Sequence, residues 1–189
     1  MAELTVISSL LKQLGLKDAA VGLEPTVSEA ALSNKTPLEV LEKLLYLEID
    51  GRNTRGKAKR LKAACLPYVE GLDTFDFGRK GFKGIDKAHV RQLAELAWLE
   101  KAYNIMFLGP TGLGKTRLSV GLGMKAVETG YNVSFVTLDE LMRLLKTSEI
   151  SSRAARRVRM IKNSDLVILD ELCKASHNSS YEKYSIMQS

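Results

Sequence analysis

An α/β fold built on a parallel sheet, with an all-helical N-terminal region, is what this sequence predicts, on three observations. Residues Gly109-Pro110-Thr111-Gly112-Leu113-Gly114-Lys115-Thr116 fit G-x-x-x-x-G-K-[ST], between a short apolar segment and a run of helical period. A second apolar run, Leu166-Val167-Ile168-Leu169, ends in the acids Asp170 and Glu171. Before residue 70 the apolar residues recur at helical spacing.

The N-terminal region is read as residues 1–70. Leu4, Ile7, Leu10, Leu11 and Leu14 follow a helical period that Gly15 ends. Residues 21–31 contain Pro25 and carry an ambiguous pattern. Thr36-Pro37-Leu38-Glu39 is a helix start: Thr36 caps, Pro37 takes the first helical position and Glu39 closes a capping box. Leu38, Leu41, Leu45 and Ile49 then form an apolar stripe, on a helix that continues past Gly51 until Leu66-Pro67 breaks it. This region is either a small bundle packing on the protein itself or a docking module for DNA or a partner protein.

Residues 71–85 form a linker. Its Phe75 and Phe77 either pack beside an adenine base or pin the linker to the core. The core, 86–172, starts at Asp86, a cap for a helix whose Val90, Leu93 and Ala97 face inward. Asn104-Ile105-Met106-Phe107-Leu108 reads as a buried strand leading into the glycine loop. The helix opening at Gly114 carries Leu118, Leu122 and Ala126 on one side and ends at Gly130. Residues 132–137 read as a strand, and the helix from Asp139 groups Leu138, Leu141 and Leu145. The continuous apolar run at 166–169 suits a strand covered on both faces, as in parallel sheets. Right-handed crossovers connect these strands.

The glycine loop is a phosphate-binding P-loop. Gly109, Gly112 and Gly114 let backbone N–H groups approach phosphate oxygens, and the following helix adds its N-terminal dipole. Pro110, Thr111 and Leu113 complete the cradle. Lys115 reaches the β- and γ-phosphates of ATP, and the Thr116 hydroxyl ligates Mg²⁺. Arg117 is either solvated or a phosphate contact. Asp170, at the C-terminal end of its strand, holds Mg²⁺ directly or through water, and Glu171 polarises the attacking water. Lys115, Asp170 and Glu171 are thus the catalytic candidates.

The chain has 28 basic and 22 acidic residues, a net charge of +6. Arg52, Arg55, Lys57, Lys59, Arg60 and Lys62 form one cluster; Arg153, Arg156, Arg157, Arg159 and Lys162 form another. Each is either a solvated helix face or a contact for double-stranded DNA through counterion release. Arg52, Arg55, Lys59, Arg60, Lys62, Arg153, Arg156 and Arg157 are the DNA-binding candidates. Cys65 and Cys173 fit neither a disulfide framework nor a zinc site and read as a buried thiol and an exposed tail thiol. His89 and His177 read as surface residues. No apolar run reaches membrane-spanning length, Met1-Ala2-Glu3-Leu4 lacks a basic leader, and a cytoplasmic protein is expected.

From about residue 36 to residue 172 the chain resembles the IstB-type transposition helper ATPases of bacterial insertion sequences. These are kin of the DnaC-type helicase loaders within the AAA+ ATPases. The resemblance rests on Thr36-Pro37-Leu38-Glu39, Arg60-Leu61-Lys62-Ala63-Ala64, Phe75-Asp76-Phe77, Asn104-Ile105-Met106-Phe107-Leu108-Gly109-Pro110 and Asp165-Leu166-Val167-Ile168-Leu169-Asp170-Glu171-Leu172. It implies ATP-dependent homo-oligomers on DNA and recruitment of a transposase, with a replicative helicase as the alternative partner. It also implies that Lys115, Thr116, Asp170 and Glu171 act as assigned. The polar residues 173–189 do not resemble the family's continuation through a sensor strand and an arginine finger. The expectation is an AAA+-type sheet incomplete after the Walker B acids, in a truncated copy with marginal stability and weak hydrolysis. An inactive ATP- and DNA-binding remnant is the non-enzymatic alternative.

Overall fold

The computed structural model describes residues 2–77 and 85–171. The chain divides into two compact units, residues 1–59 and 60–189.

The first unit holds three helices, α1 (Ala2–Gln13), α2 (Lys17–Leu32) and α3 (Pro37–Ala64), the last running on into the second unit. The ambiguous segment around Pro25 is helical. Its Ala19, Leu23 and Ala30 are buried, so packing outweighs the one backbone donor that proline removes. The capping box forms: Glu39 N donates to Thr36 Oγ1 over 3.3 Å, and Thr36 N donates to Glu39 Oε2 over 2.6 Å.

No side chain of its own start caps α2. Glu48 of α3 does so from 30 residues away, its Oε2 accepting from Asp18 N over 2.8 Å and from Ala19 N over 3.3 Å. The interior packs Ala19, Leu23 and Leu44 with Leu4, Leu11, Leu16, Val27 and Val40 around them. The stripe Leu38, Leu41, Leu45 and Ile49 faces solvent instead; Val40, Leu44 and Glu48 supply the inward face of α3.

The second unit is mostly helical around a small parallel sheet. A 3-10 turn (Leu72–Thr74) precedes α4 (Lys87–Ala94), α5 (Ala97–Glu100), α6 (Lys115–Thr129), β1 (Val133–Thr137), α7 (Leu138–Thr147), α8 (Ser152–Lys162) and β2 (Leu166–Asp170). β1 and β2 pair in parallel from Val133–Leu166 to Thr137–Asp170. Val120, Met124 and Val127 of α6 pack with Val133, Phe135 and Ile168 of the sheet, and with Ala64 and Leu96. Three caps locate the helices: Asp86 accepts from His89 N, Thr137 from Glu140 N and Ser151 from Ala154 N.

Four expectations are corrected. Residues 104–108 are not a strand: they have no ladder partner among the described residues, and Met106 and Leu108 are exposed. A strand is defined by its neighbour, and among the described residues only β1 and β2 form a ladder. β2 is not covered on both faces, since Ile168 is buried while Val167 is exposed. The helix from Asp86 ends at Ala94; Leu96 takes a left-handed φ of 63° to bury its own side chain, which turns Ala97 outward. Cys65 is exposed, because the chain turns there at a φ of 55° just past α3.

Residues 173–189, with Cys173 and His177, lie outside the described residues.

Candidate nucleotide and magnesium site

The glycine loop runs from Gly109 to the first turn of α6. Gly114 caps that helix with a φ of 88°, a left-handed conformation that side chains disfavour. A Cβ at this position would also come within 3.1 Å of the Phe75 ring. Gly114 is therefore fixed twice, by its dihedral and by its neighbour. Gly112 also has a positive φ, 84°, but faces open space. The loop residues Gly109 to Gly112 are exposed, and Leu113 and Gly114 are half-buried. The amides of the loop and of the first turn of α6 form a cradle suited to an anion.

Lys115 folds back over this loop. Its Nζ donates to Gly109 O over 2.7 Å and to Pro110 O over 2.8 Å, which holds the ammonium at the mouth of the cradle. Thr116 points the other way. Its Oγ1 donates to Asp170 Oδ2 over 2.9 Å, joining the start of α6 to the end of β2 across 54 residues. Both groups are half-buried. A hydroxyl and a carboxylate are hard oxygen donors, the set that Mg²⁺ takes from protein beside substrate phosphates. These residues therefore fit the ion that a triphosphate would bring. Glu171 follows with a left-handed φ of 60°, so the chain turns sharply directly after Asp170.

Arg117 is held by the linker. Its NH2 group donates to Glu70 Oε2 over 2.8 Å, to Thr74 O over 3.1 Å and to Thr74 Oγ1 over 3.3 Å. These bonds tie the guanidinium to the segment between α3 and α4. Phe75 is buried with Val90 and Leu118 and meets Phe77 at a ring separation of 4.8 Å; Phe77, Ile85 and Phe107 pack around that cluster. The aromatic pair pins the linker behind the loop.

Tyr68 belongs to the same neighbourhood. Burial raises its phenol pKa first, and the charges of Glu70 and Asp170 push the same way while Arg117 opposes. Sequence reasoning passed over Tyr68, Glu70 and Thr74. Each is an isolated polar residue in an irregular stretch, and only the fold brings them to a helix that starts more than 40 residues later.

The basic clusters separate on structural grounds. Arg52 Nε donates to the buried Glu48 over 2.7 Å, and Arg55 bonds Asp18 over 2.5 Å. Arg60 donates to Val127 O over 3.4 Å. Arg157 bonds Ala63 O over 3.2 Å and Phe135 O over 2.7 Å. These four cations are tied to the protein's own groups. Lys59 and Lys62 are exposed on α3. On α8, Arg153, Arg156, Arg159 and Lys162 are exposed and make no ion pair among the described residues. That helix contains no acidic residue.

No described helix is long and apolar enough to cross a membrane. Comparison with known proteins supplies the family. A family model described as IstB-like ATP binding protein matches residues 9–183, which extends past the 36–172 span over which the resemblance was read.

The candidate ATP-binding protein of insertion sequence IS21 from Pseudomonas aeruginosa is 38% identical over 172 residues, covering 91% of this chain and 63% of that protein. An IS21-like counterpart from Bacteroides fragilis is 36% identical over 160 residues, covering 85% of this chain and 60% of its own length. Another, from Bacteroides fragilis strain YCH46, is 35% identical over 166 residues and is covered to 82%. The chain thus spans less than two thirds of the first two relatives, 63% and 60% of their lengths. With the family model matching most of its length, this chain belongs to the IstB-like ATP-binding family.

Proposed function

We propose that the chain is an ATP-binding helper of DNA transposition, with residues 86–172 as its nucleotide core and 1–70 as its helical docking region. The observation that carries the reading is the 2.9 Å bond between Thr116 and Asp170 beside the glycine loop. The bond brings an oxygen donor from β2 to the residue that follows Lys115 and the loop amides, and these are the groups a magnesium–triphosphate needs.

In this reading the amides of Gly109 to Gly114 hold the β- and γ-phosphates, and Lys115 exchanges its bonds to the loop carbonyls for phosphate oxygens. Thr116 and Asp170 would hold Mg²⁺, which would supply positive charge to offset the charge of the phosphates. Glu171 orients and deprotonates the attacking water. Arg117 keeps α6 in register with the linker through Glu70 and Thr74.

The relatives are insertion-sequence proteins, so the partner class assigned here is a transposase, with double-stranded DNA as the platform on which copies assemble. The exposed cations of α8 are the DNA contact favoured by their lack of internal acids.

Nucleotide titration and turnover on one purified sample test the core of this reading. Lys115→Ala is expected to lower Mg-ATP affinity at least about 100-fold, since a charge-assisted bond to phosphate contributes roughly 1.5–3 kcal/mol and more than one is lost. Unchanged affinity rejects the site. Binding with no turnover at any concentration reduces the protein to a nucleotide-binding remnant.

A further inference from the structure

The segment between α3 and α4 grips α6 at three points. Glu70 Oε2 and Thr74 O accept from the Arg117 guanidinium over 2.8 and 3.1 Å. Leu72 lies across Gly121, where a Cβ would stand 2.5 Å from its Cδ2. Phe75 reaches Gly114 itself: its Cε2 and Cζ lie 3.1 and 3.4 Å from where a Cβ on that glycine would stand. The ring is buried against Val90 of α4 and Leu118 of α6, with the Phe77 ring centre 4.8 Å away. Gly114 has a left-handed φ of 88° and opens the helix whose first amides line the phosphate cradle. A glycine in that conformation has no side chain to hold it, so its neighbours must do so.

We infer that Phe75 is a positioning residue for the phosphate loop, its ring the stop against which the turn at Gly114 rests. It acts through Gly114 and not on the nucleotide. By filling the side that the glycine leaves bare, the ring fixes the direction in which the amides of Gly114 and Lys115 point. Anion binding by amides depends on donors held in place before the ligand arrives, to within about 0.5 Å and 10–20°. The rest of the loop does not supply that rigidity: Gly109 to Gly112 are exposed, and a Cβ at Gly112 would meet nothing within 4 Å. Phe77 belongs to the same apolar cluster, yet none of its atoms comes within 4 Å of the Gly114 Cβ position. Two neighbouring rings thus serve one cluster, and one of them bears on the loop. The inference rests on the reading of this loop as the phosphate site.

Calorimetric titration of the full chain with Mg-ATP, and with magnesium tripolyphosphate as a probe that lacks the base, tests it. Phe75→Leu keeps an apolar side chain in the cluster but lacks the Cε2 and Cζ atoms that meet Gly114. It should weaken both ligands by the same factor, about 10-fold, which is what one charge-assisted hydrogen bond contributes. Phe77→Leu takes the same atoms out of the same cluster and should bind both ligands like the parent protein. Phe75→Ile and Phe77→Ile repeat the comparison, so it does not hang on one pair folding, and thermal midpoints establish that each variant is folded at the assay temperature. Equal losses at 75 and 77 make Phe75 ordinary packing. Unchanged affinity in Phe75→Leu removes it from the site. A loss for ATP without one for tripolyphosphate makes it a contact for the base. Each of these overturns the assignment. A parent protein that binds neither ligand removes the phosphate site itself, a result read before any variant is compared.

Discussion

Two cationic helices, α3 and α8, differ in what their charges touch. On α3, Arg52 bonds the buried Glu48 and Arg55 bonds Asp18, so both cations serve the helical unit that carries them. On α8, Arg153, Arg156, Arg159 and Lys162 are exposed with no ion pair among the described residues, and the helix offers no acid of its own. A cation that already has a carboxylate beside it releases little counterion when a phosphate arrives. Equal densities of arginine and lysine therefore do not make equal polyanion surfaces. What decides is whether the fold has brought an acid to them.

The largest expected effect breaks or supports this contrast directly. Arg153→Gln, Arg156→Gln and Arg159→Gln together should lower the slope of log affinity against log salt for duplex DNA by about 3, evenly across sequences. Fluorescence anisotropy over a salt series measures it, and an unchanged slope would remove α8 from the interface. Next in size, Arg52→Gln with Arg55→Gln should alter that slope by less than about 1 while lowering the thermal midpoint of the helical unit. A slope change as large as that of α8 would erase the distinction.

Glu48→Ala should destabilise the unit more than either arginine change, since Asp18 N and Ala19 N lose their acceptor as well. Calorimetry of the three variants ranks them.

The smallest effect sharpens the comparison through pH. Lys35 and then Lys43 hold the Glu29 carboxyl at about 2, below its ordinary 4.5, and Arg52 holds that of Glu48 down as well. Carboxylates with depressed pKa bind protons more weakly in the folded state. For Glu29 that stabilisation is full above the ordinary value near 4.5 and is lost as pH falls toward 2. Acid titration between those limits should therefore loosen α1–α3, with Glu29→Gln flattening the transition. Helicity insensitive to pH in that window would contradict the ion-pair account.

Much of the fold was legible because the deciding signals are local. The Thr36–Glu39 box, the Asp86 cap, the Gly114 and Gly130 positions and the apolar run ending in Asp170 each lie within a few residues of the structure they specify. The place of the glycine loop at the start of α6 was legible for the same reason. What escaped was set by partners far along the chain. Residues 104–108 have the composition of a strand but no neighbour among the described residues to pair with.

The apolar stripe of α3 is periodic, yet periodicity does not say which of two faces a bundle buries. Glu48, one position from that stripe, turned out to be buried because the free amides of α2 needed an acceptor. Arg117 follows the loop motif directly, and its partners Glu70 and Thr74 carry no pattern that could have announced them.

Arg157 has a consequence for the order in which the molecule is made. One guanidinium clips the carbonyl of Ala63 to that of Phe135, and the first of those partners precedes it by 94 residues. A ribosome delivers Ala63 long before it delivers Arg157. The ion pair between Asp18 and Arg55 spans only 37 residues, so the N-terminal helices can settle while the remainder is still being translated. Until β2 emerges, Val120, Val127 and Phe135 wait without Ile168 and Leu166. That interval during synthesis is when this protein is most open to misassociation with its neighbours.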